Sequence, residues 1–174
     1  MKTLRRIFLL SLAIILMNAC NTDEFEGCPL SYTVKTGDFD LTNSWAFVGF
    51  RTKGAGGIDF PPCDTYAGAA VTLGKVNLTF TQNPSSQENG FFEFAGASVV
   101  NSFTGSYRTF GNGRIEALNR LAITLIAGNE VLSNYENRYL QGLRNMESYR
   151  IQNNMLMIAF NGDLEEMIFV LIES

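Results

Sequence analysis

Histidine is absent from all 174 residues, which removes the side chain on which most nucleophilic and metal-dependent catalysis relies. Ser-His-Asp and Cys-His arrangements, HExxH zinc sites and an imidazole proton shuttle near neutral pH are excluded. The cysteines, Cys20, Cys28 and Cys63, fall short of the four ligands of a structural zinc site. Paired-carboxylate chemistry needs two acids facing one another. Glu165-Glu166 is the only adjacent acidic pair in the body of the chain, but neighbours on a strand point to opposite faces. With Asp163 beside them, these residues read as a solvated turn. Gly54-Ala55-Gly56-Gly57 runs on into Ile58-Asp59-Phe60-Pro61, with neither a P-loop lysine nor a helix start, so it reads as a flexible loop rather than a phosphate cradle. Lys35, Lys53 and Lys75 read as surface, and the sequon Asn77-Leu78-Thr79 as a coincidence within a strand. The sequence predicts no catalytic residue, no cofactor and no metal.

Two polar residues stand out from this background. Asn101 and Tyr107 can line a ligand groove. They can equally be an asparagine in a tight turn and a tyrosine with its ring buried and its hydroxyl bonded, and this structural reading is preferred.

The chemistry best supported is lipidation. Lys2, Arg5 and Arg6 precede an apolar run from Ile7 to Met17, the pattern of a secretory signal. As a helix that run is roughly 16 Å long, about half the hydrocarbon thickness of a bilayer, and so a poor permanent span. Met17-Asn18-Ala19-Cys20 has the apolar and small residues of a lipobox, with Asn18 an unusual occupant. Cleavage before Cys20 followed by acylation gives several lipid chains, and each buried methylene contributes about 0.8 kcal/mol to anchoring. The acidic segment Asn-Thr-Asp-Glu-Phe-Glu-Gly after Cys20 suits a solvated tether; it also resembles a surface-export signal of envelope lipoproteins. The expected organisation is a signal peptide over 1–19, a lipidated tether over 20–30 and one domain over 31–174. The expected location is the cell envelope, lipid-anchored at the outer membrane and facing the periplasm or the surface.

The formal charge is −4, and loss of Lys2, Arg5 and Arg6 with the leader makes it three units more negative. Without a basic cluster, such a chain is a poor partner for nucleic acid or anionic lipid. Cys28 and Cys63, left after lipidation, are disulfide candidates in an oxidising compartment. A bridge between them would stabilise by roughly 3 to 4 kcal/mol on the chain-entropy model.

The elements that must position any site are mostly strands. Strand signals run over Ser44–Arg51, Val71–Thr81, Phe91–Phe94, Ser102–Thr109, Arg114–Asn119, Leu121–Ile126, Glu147–Gln152, Met155–Phe160 and Met167–Ile172. Val76, Leu78 and Phe80 alternate with Asn77, Thr79 and Thr81, which predicts one buried and one wet face. Phe110-Gly111-Asn112-Gly113 predicts a hairpin. One helix, about 129–145, is marked by an apolar stripe of Val131, Leu132, Tyr135, Tyr139, Leu140 and Leu143. Asn129 caps it, or Ser133 does so one turn later with Glu136 in capping-box position. The fold class is therefore α+β, mostly β: a meandering antiparallel sheet or partly open barrel with one packed helix.

Gly96, Asn101, Phe103, Gly105 and Tyr107, followed by the strand at Ile123, the helix at Glu136–Leu143 and the Tyr149–Ile158 hairpin, resemble the META domain, the family of the HslJ heat-inducible lipoproteins. The resemblance spans roughly 44–172. It departs at Val100 and at Ala127-Gly128, where that family often carries cysteines, so that a disulfide of that arrangement is absent here. It implies a small β-rich domain in a family without established enzymatic activity and with loose links to envelope stress.

These readings lead to the expectation of a non-enzymatic envelope lipoprotein, held at the membrane through lipid on Cys20, with a structural or protein-binding domain. Alternatives are a binder of a small molecule or glycan at a barrel mouth or sheet face, or an inhibitor of an attacking hydrolase acting through the Thr52–Thr65 loop. Cys20→Ser is expected to release the protein into the soluble fraction or to block its processing. Fractionation that shows unchanged membrane retention with normal cleavage would refute the anchor.

Overall fold

The computed structural model describes residues 40–62 and 75–171. Among them, nine strands wrap around one helix: β1 (Ser44–Thr52), β2 (Asn77–Pro84), β3 (Phe92–Ala97), β4 (Ser102–Thr109), β5 (Ile115–Ala117), β6 (Ala122–Ile123), α1 (Glu130–Arg144), β7 (Ser148–Gln152), β8 (Met155–Phe160) and β9 (Glu165–Leu171). The strand order is β5-β4-β3-β2-β1-β9-β8-β7, with every named pair antiparallel and β6 lying on β4 beside β5. Arg114 bridges Ser148, and Ile115 N–H donates to Glu147 O at 3.2 Å, so the two ends of the sheet meet in a nearly closed barrel. Closure removes edges that would otherwise invite other strands.

Alternation fills the interior from every side. Trp45, Phe47, Phe50, Leu78, Phe80, Phe94, Phe103, Tyr107, Leu156, Ile158, Met167 and Phe169 point inward and meet Tyr139, Leu140 and Leu143 of α1. Phe47 packs edge-on against Phe50, Tyr139 and Phe169 at 4.9 to 5.2 Å between ring centroids. Phe80 and Tyr107 meet in the same way at 4.8 Å. A register shift between Phe47 and Gly49 lets Phe47 and Phe50 both face inward although they lie three residues apart, as a bulge permits. Outside β1, β9 and β8, the residues Ala46, Val48, Met157, Ile168 and Val170 form a second apolar layer with Ile58 and Phe60. This is why Met155–Phe160 reads as a continuous apolar run: β8 is buried on both faces.

Several expected boundaries move. The described part of the second strand begins at Asn77 and continues to Pro84. The strand expected over Arg114–Asn119 shortens to Ile115–Ala117, and that over Leu121–Ile126 to Ala122–Ile123. Phe110–Gly113 forms a 3-10 turn over Gly111–Gly113, with Asn112 at φ 67°. Val131, expected on the buried stripe, is exposed. Asn129 is the cap, its Oδ1 accepting from Leu132 N–H at 2.9 Å, and Asn145 closes the helix.

Glu165 and Glu166 need a larger correction. They are not a solvated turn. The reversal is completed by Asn161, Gly162 and Asp163, all at positive φ, and β9 already begins at Glu165. Glu166 is 1% exposed. It accepts from Arg51 Nε at 3.0 Å and from Arg150 Nη1, on strands to either side. Glu165, on the opposite face, accepts from Arg138 Nε at 3.0 Å and Nη2 at 2.6 Å. Arg138 also reaches Asp59 and lies 4.1 Å above the Phe50 ring. Arginines on three other elements thus offset the burial of two adjacent carboxylates.

Desolvation raises both carboxyl pKa values. Hydrogen bonds from Arg138 and Asn161 to Glu165, and from Arg150 and Arg51 to Glu166, together with the arginine charges, more than reverse this, so both end below the usual 4.5. A carboxyl lowered in the folded state contributes stability above its unfolded pKa and loses it as pH falls. Glu166→Gln is expected to cost about 1 to 3 kcal/mol at pH 7, read as a lower urea midpoint. The gap from the wild type should narrow as pH drops below 4.5. A gap independent of pH would show that its charge is not what stabilises.

Candidate functional site

Glu136 sits inside the apolar stripe of α1, between Leu132 and Leu140, and is 8% exposed. It faces the β3–β4 turn. Its Oε1 accepts from the Ser98 hydroxyl, from Val100 N–H at 3.3 Å and from Asn101 N–H at 2.8 Å. Its Oε2 accepts from Asn101 Nδ2 at 2.8 Å. No salt bridge to it is found among the described residues. Main-chain and side-chain dipoles therefore hold the carboxylate where a cation would otherwise be needed. Ser98 is buried with it, so this hydroxyl and acid are turned toward protein.

Asn101 does more than meet Glu136. Its Oδ1 accepts from Ile126 N–H at 2.8 Å and from the Thr124 hydroxyl at 2.9 Å, while its Nδ2 donates to Ile126 O at 3.1 Å. One side-chain amide thus gives Ile126 the acceptor and donor that a neighbouring strand residue would give. Thr104 pairs with Ala122, and Thr124 N–H donates to Ser102 O at 3.0 Å, so the Asn101 side chain continues the same ladder by one more step. The regular strand ends at Ile123, and beyond it the segment to Ile126 is held against β4 by Thr124 N–H and by the Asn101 side chain. We call residues 122–127 the strap.

A groove of about 400 Å³ runs between the strap and α1, lined in part by Ile123, Leu125, Ala127, Asn137, Leu140 and Arg144, with Asn101 and Glu136 in its wall. Leu125 at its rim is 98% exposed and Ile126 is 61% exposed. A smaller hollow of about 230 Å³ lies on the outer face of β3 and β4 among Thr81, Ser85, Glu93, Thr104 and Ser106. Five of its ten lining residues carry hydroxyls, and Ser85 and Ser106 bond each other there at 2.6 Å. Both hollows lie outside the filled interior.

Tyr107 lies elsewhere, on the inward face of β4. Its hydroxyl donates to Thr81 O at 2.8 Å and its ring packs on Phe80. Burial first, then the neighbouring Tyr149 and Asp40, push its pKa up to about 12, so it remains a donor across the physiological range. Asn101 is thus in the groove wall, whereas Tyr107 ties β4 to β2; the two do not share a site. Glu136 was the residue that sequence reasoning passed over. Its signal was its place among Leu132, Tyr139, Leu140 and Leu143, a charge at an apolar position. Cys20, Cys28 and Cys63 lie outside the described residues.

The META domain family model matches residues 62–171. The chain belongs to the META domain family. A crystal structure of a DUF4847 family protein from Bacteroides vulgatus is similar, with TM-score 0.51 and 16% identity, over 77% of this chain and 95% of that one. A protein from Burkholderia xenovorans, solved by NMR, matches with TM-score 0.55 and 18% identity, over 84% of this chain and 98% of that one. At these identities the likeness is one of fold. No match is found among curated proteins.

The META signature acquires physical reasons in this chain. A Cβ on Gly96 would come within 2.1 Å of Asn77 O, and one on Gly105 within 2.5 Å of the Phe94 ring, so both positions serve close packing. Asn101 pins the strap, Phe103 fills the core, and Tyr107 crosses to β2. Asn101→Ala removes both hydrogen bonds that Ile126 makes among the described residues and one donor to a buried carboxylate. It is expected to cost about 2 to 4 kcal/mol and to speed amide exchange at Ile126 well beyond the global change. Equal protection of Ile126 in both proteins would refute the pinning role.

Proposed function

We propose that this META domain protein is a membrane-anchored envelope lipoprotein that binds another protein through its outer surface and catalyses no reaction. The observation that carries this reading is the filled barrel. Trp45, Phe47, Phe94, Phe103, Tyr139 and Phe169 occupy the interior, where a binder of small molecules would keep a concave pocket with convergent polar groups. The buried acids Glu136 and Glu166 and the half-buried Glu165 are engaged by main-chain amides, side-chain amides and arginines, which leaves them in structural roles. What a partner meets is a rigid surface, and exposed apolar groups on a rigid surface favour protein contact. The lipid on Cys20 would supply placement, and an envelope-stress role would follow from the partner.

The test uses the full lipidated chain. Crosslinking in intact envelopes followed by affinity purification is expected to recover one partner in stoichiometric amount, and Cys20→Ser to abolish that recovery. Recovery of no partner, together with saturable binding of a soluble glycan or metabolite, would overturn the proposal in favour of a ligand binder.

A further inference from the structure

The strap has a second edge. Antiparallel pairing alternates, so that main-chain groups of successive residues point to opposite sides. Thr124 N–H bonds Ser102, and Ile126 bonds Asn101 through both its N–H and its carbonyl. The groups of Ile123 and Leu125 must therefore point away from β4, toward the groove and α1. The N–H and C=O of Leu125 have no hydrogen-bond partner among the described residues. This edge also lacks the protection that sheets commonly carry. Ala122-Ile-Thr-Leu-Ile-Ala127 contains no charge and no proline, and it is rich in β-branched residues, the composition that invites another strand. Ile123 packs against the core, whereas Leu125 is almost wholly in solvent and Ile126 is largely exposed. It is nevertheless held firmly, because Asn101 and Glu136 fix it from behind.

The opposite wall of the groove adds a charge preference. Arg144, in the last turn of α1, lines it with Asn137 and Leu140, and no ion pair of Arg144 is found among the described residues. Glu136 is already engaged by its donors from the β3–β4 turn, so the groove sets a cation with no ion pair among the described residues beside a backbone edge with no partner among them.

We propose that the strap is a strand-addition site: an extended peptide of a partner protein pairs with the main chain at Ile123 and Leu125 and sets an acidic side chain against Arg144. Affinity comes from the main-chain bonds, and the choice of partner comes from the apolar rim and the arginine. The inference rests on the protein-binding reading above and gives it a place and a chemistry.

The probes are blocked six-residue peptides, Asp-Thr-Val-Ile-Val-Thr and Thr-Val-Ile-Val-Thr-Asp, with a neutral form carrying Asn in place of Asp and forms N-methylated at alternate residues. Binding is followed by amide chemical shifts of the folded protein. Saturable shifts at Ile123, Leu125 and Ala127 are expected with one of the two acidic peptides. N-methylation on the pairing edge should weaken binding about tenfold or more, and Arg144→Gln should weaken the acidic peptide about threefold at low salt while leaving the neutral one unchanged. Leu125→Pro removes an N–H that has no partner among the described residues and should abolish binding. Leu125→Lys, which keeps the backbone and adds a guarding charge, provides the check should the proline variant unfold.

Equal binding of the N-methylated peptides, shifts on another face, or no saturable binding at all would overturn the proposal. So would strap shifts that grow with protein concentration alone, which would assign the edge to a second copy of this chain. Recovery of the same stoichiometric partner from envelopes by Leu125→Pro would sink the strap and leave the protein-binding reading standing. Peptide pairing at the strap with no partner recovered from envelopes would count against that broader reading instead.

Discussion

A carboxylate that meets no cation among the described residues holds this fold together at one end. Glu136 projects from the buried face of α1 into the β3–β4 turn, where two successive main-chain amides, a hydroxyl and the amide of Asn101 receive it. Removing a charge from water costs several kcal/mol unless such donors are in place. The helix therefore has few positions in which that cost is met. With Glu136 seated, Tyr139 and Leu143 enter the barrel, Arg138 reaches Glu165 and Asp59, and Tyr135 donates to Asp59 O at 2.9 Å. One polar contact specifies the orientation of an element whose apolar stripe alone would tolerate rotation and sliding. The apolar core supplies the greater part of the driving force, while the carboxylate selects among the packings that core allows.

The same logic separates what was legible in the sequence from what was not. Alternation along Asn77–Thr81 and the unbroken apolar run of Met155–Phe160 revealed their strands because burial acts on them residue by residue. The reversal between β7 and β8 falls on Asn153 and Asn154, both at positive φ, which asparagine tolerates better than most. Glu165-Glu166 misled because charge was equated with exposure. Their burial depends on Arg51, Arg138 and Arg150, residues distant in sequence on β1, α1 and β7, and no local pattern records that convergence. Glu136 was hidden for the same reason, although its position in the stripe carried a trace. The strand expected over Leu121–Ile126 was half visible: its ladder is completed by the side chain of Asn101 rather than by backbone.

The META signature is a signature of packing in this chain. Gly96 and Gly105 allow strands and rings to approach, Phe103 fills the interior, and Tyr107 spends its hydroxyl on β2. Such positions follow the demands of the barrel whatever the barrel is used for, so family membership speaks to architecture and is silent on partner. Residues free to specify function must lie where packing makes no demand, on the outer face of the sheet, the Thr52–Gly57 loop and the strap. Leu125 is the extreme case, because a large apolar side chain left in water does nothing for folding.

Lipidation at Cys20 and recognition through a strand edge would be physically matched. A few main-chain bonds to an extended peptide bring modest affinity, because the peptide must give up its conformational freedom as it pairs. A tether that confines the domain to the same membrane as its partner raises the effective concentration of one for the other, and that gain multiplies with the contact affinity. Modest contacts then suffice, and they release quickly. The filled barrel and engaged acids would in this arrangement serve rigidity, since an edge already pinned by Asn101 pays little to receive a strand. An edge so open would be a hazard in a crowded soluble phase. Confinement at a membrane would reduce the encounters that lead to unwanted pairing, and α1, the opposite wall of the groove, would narrow the approach.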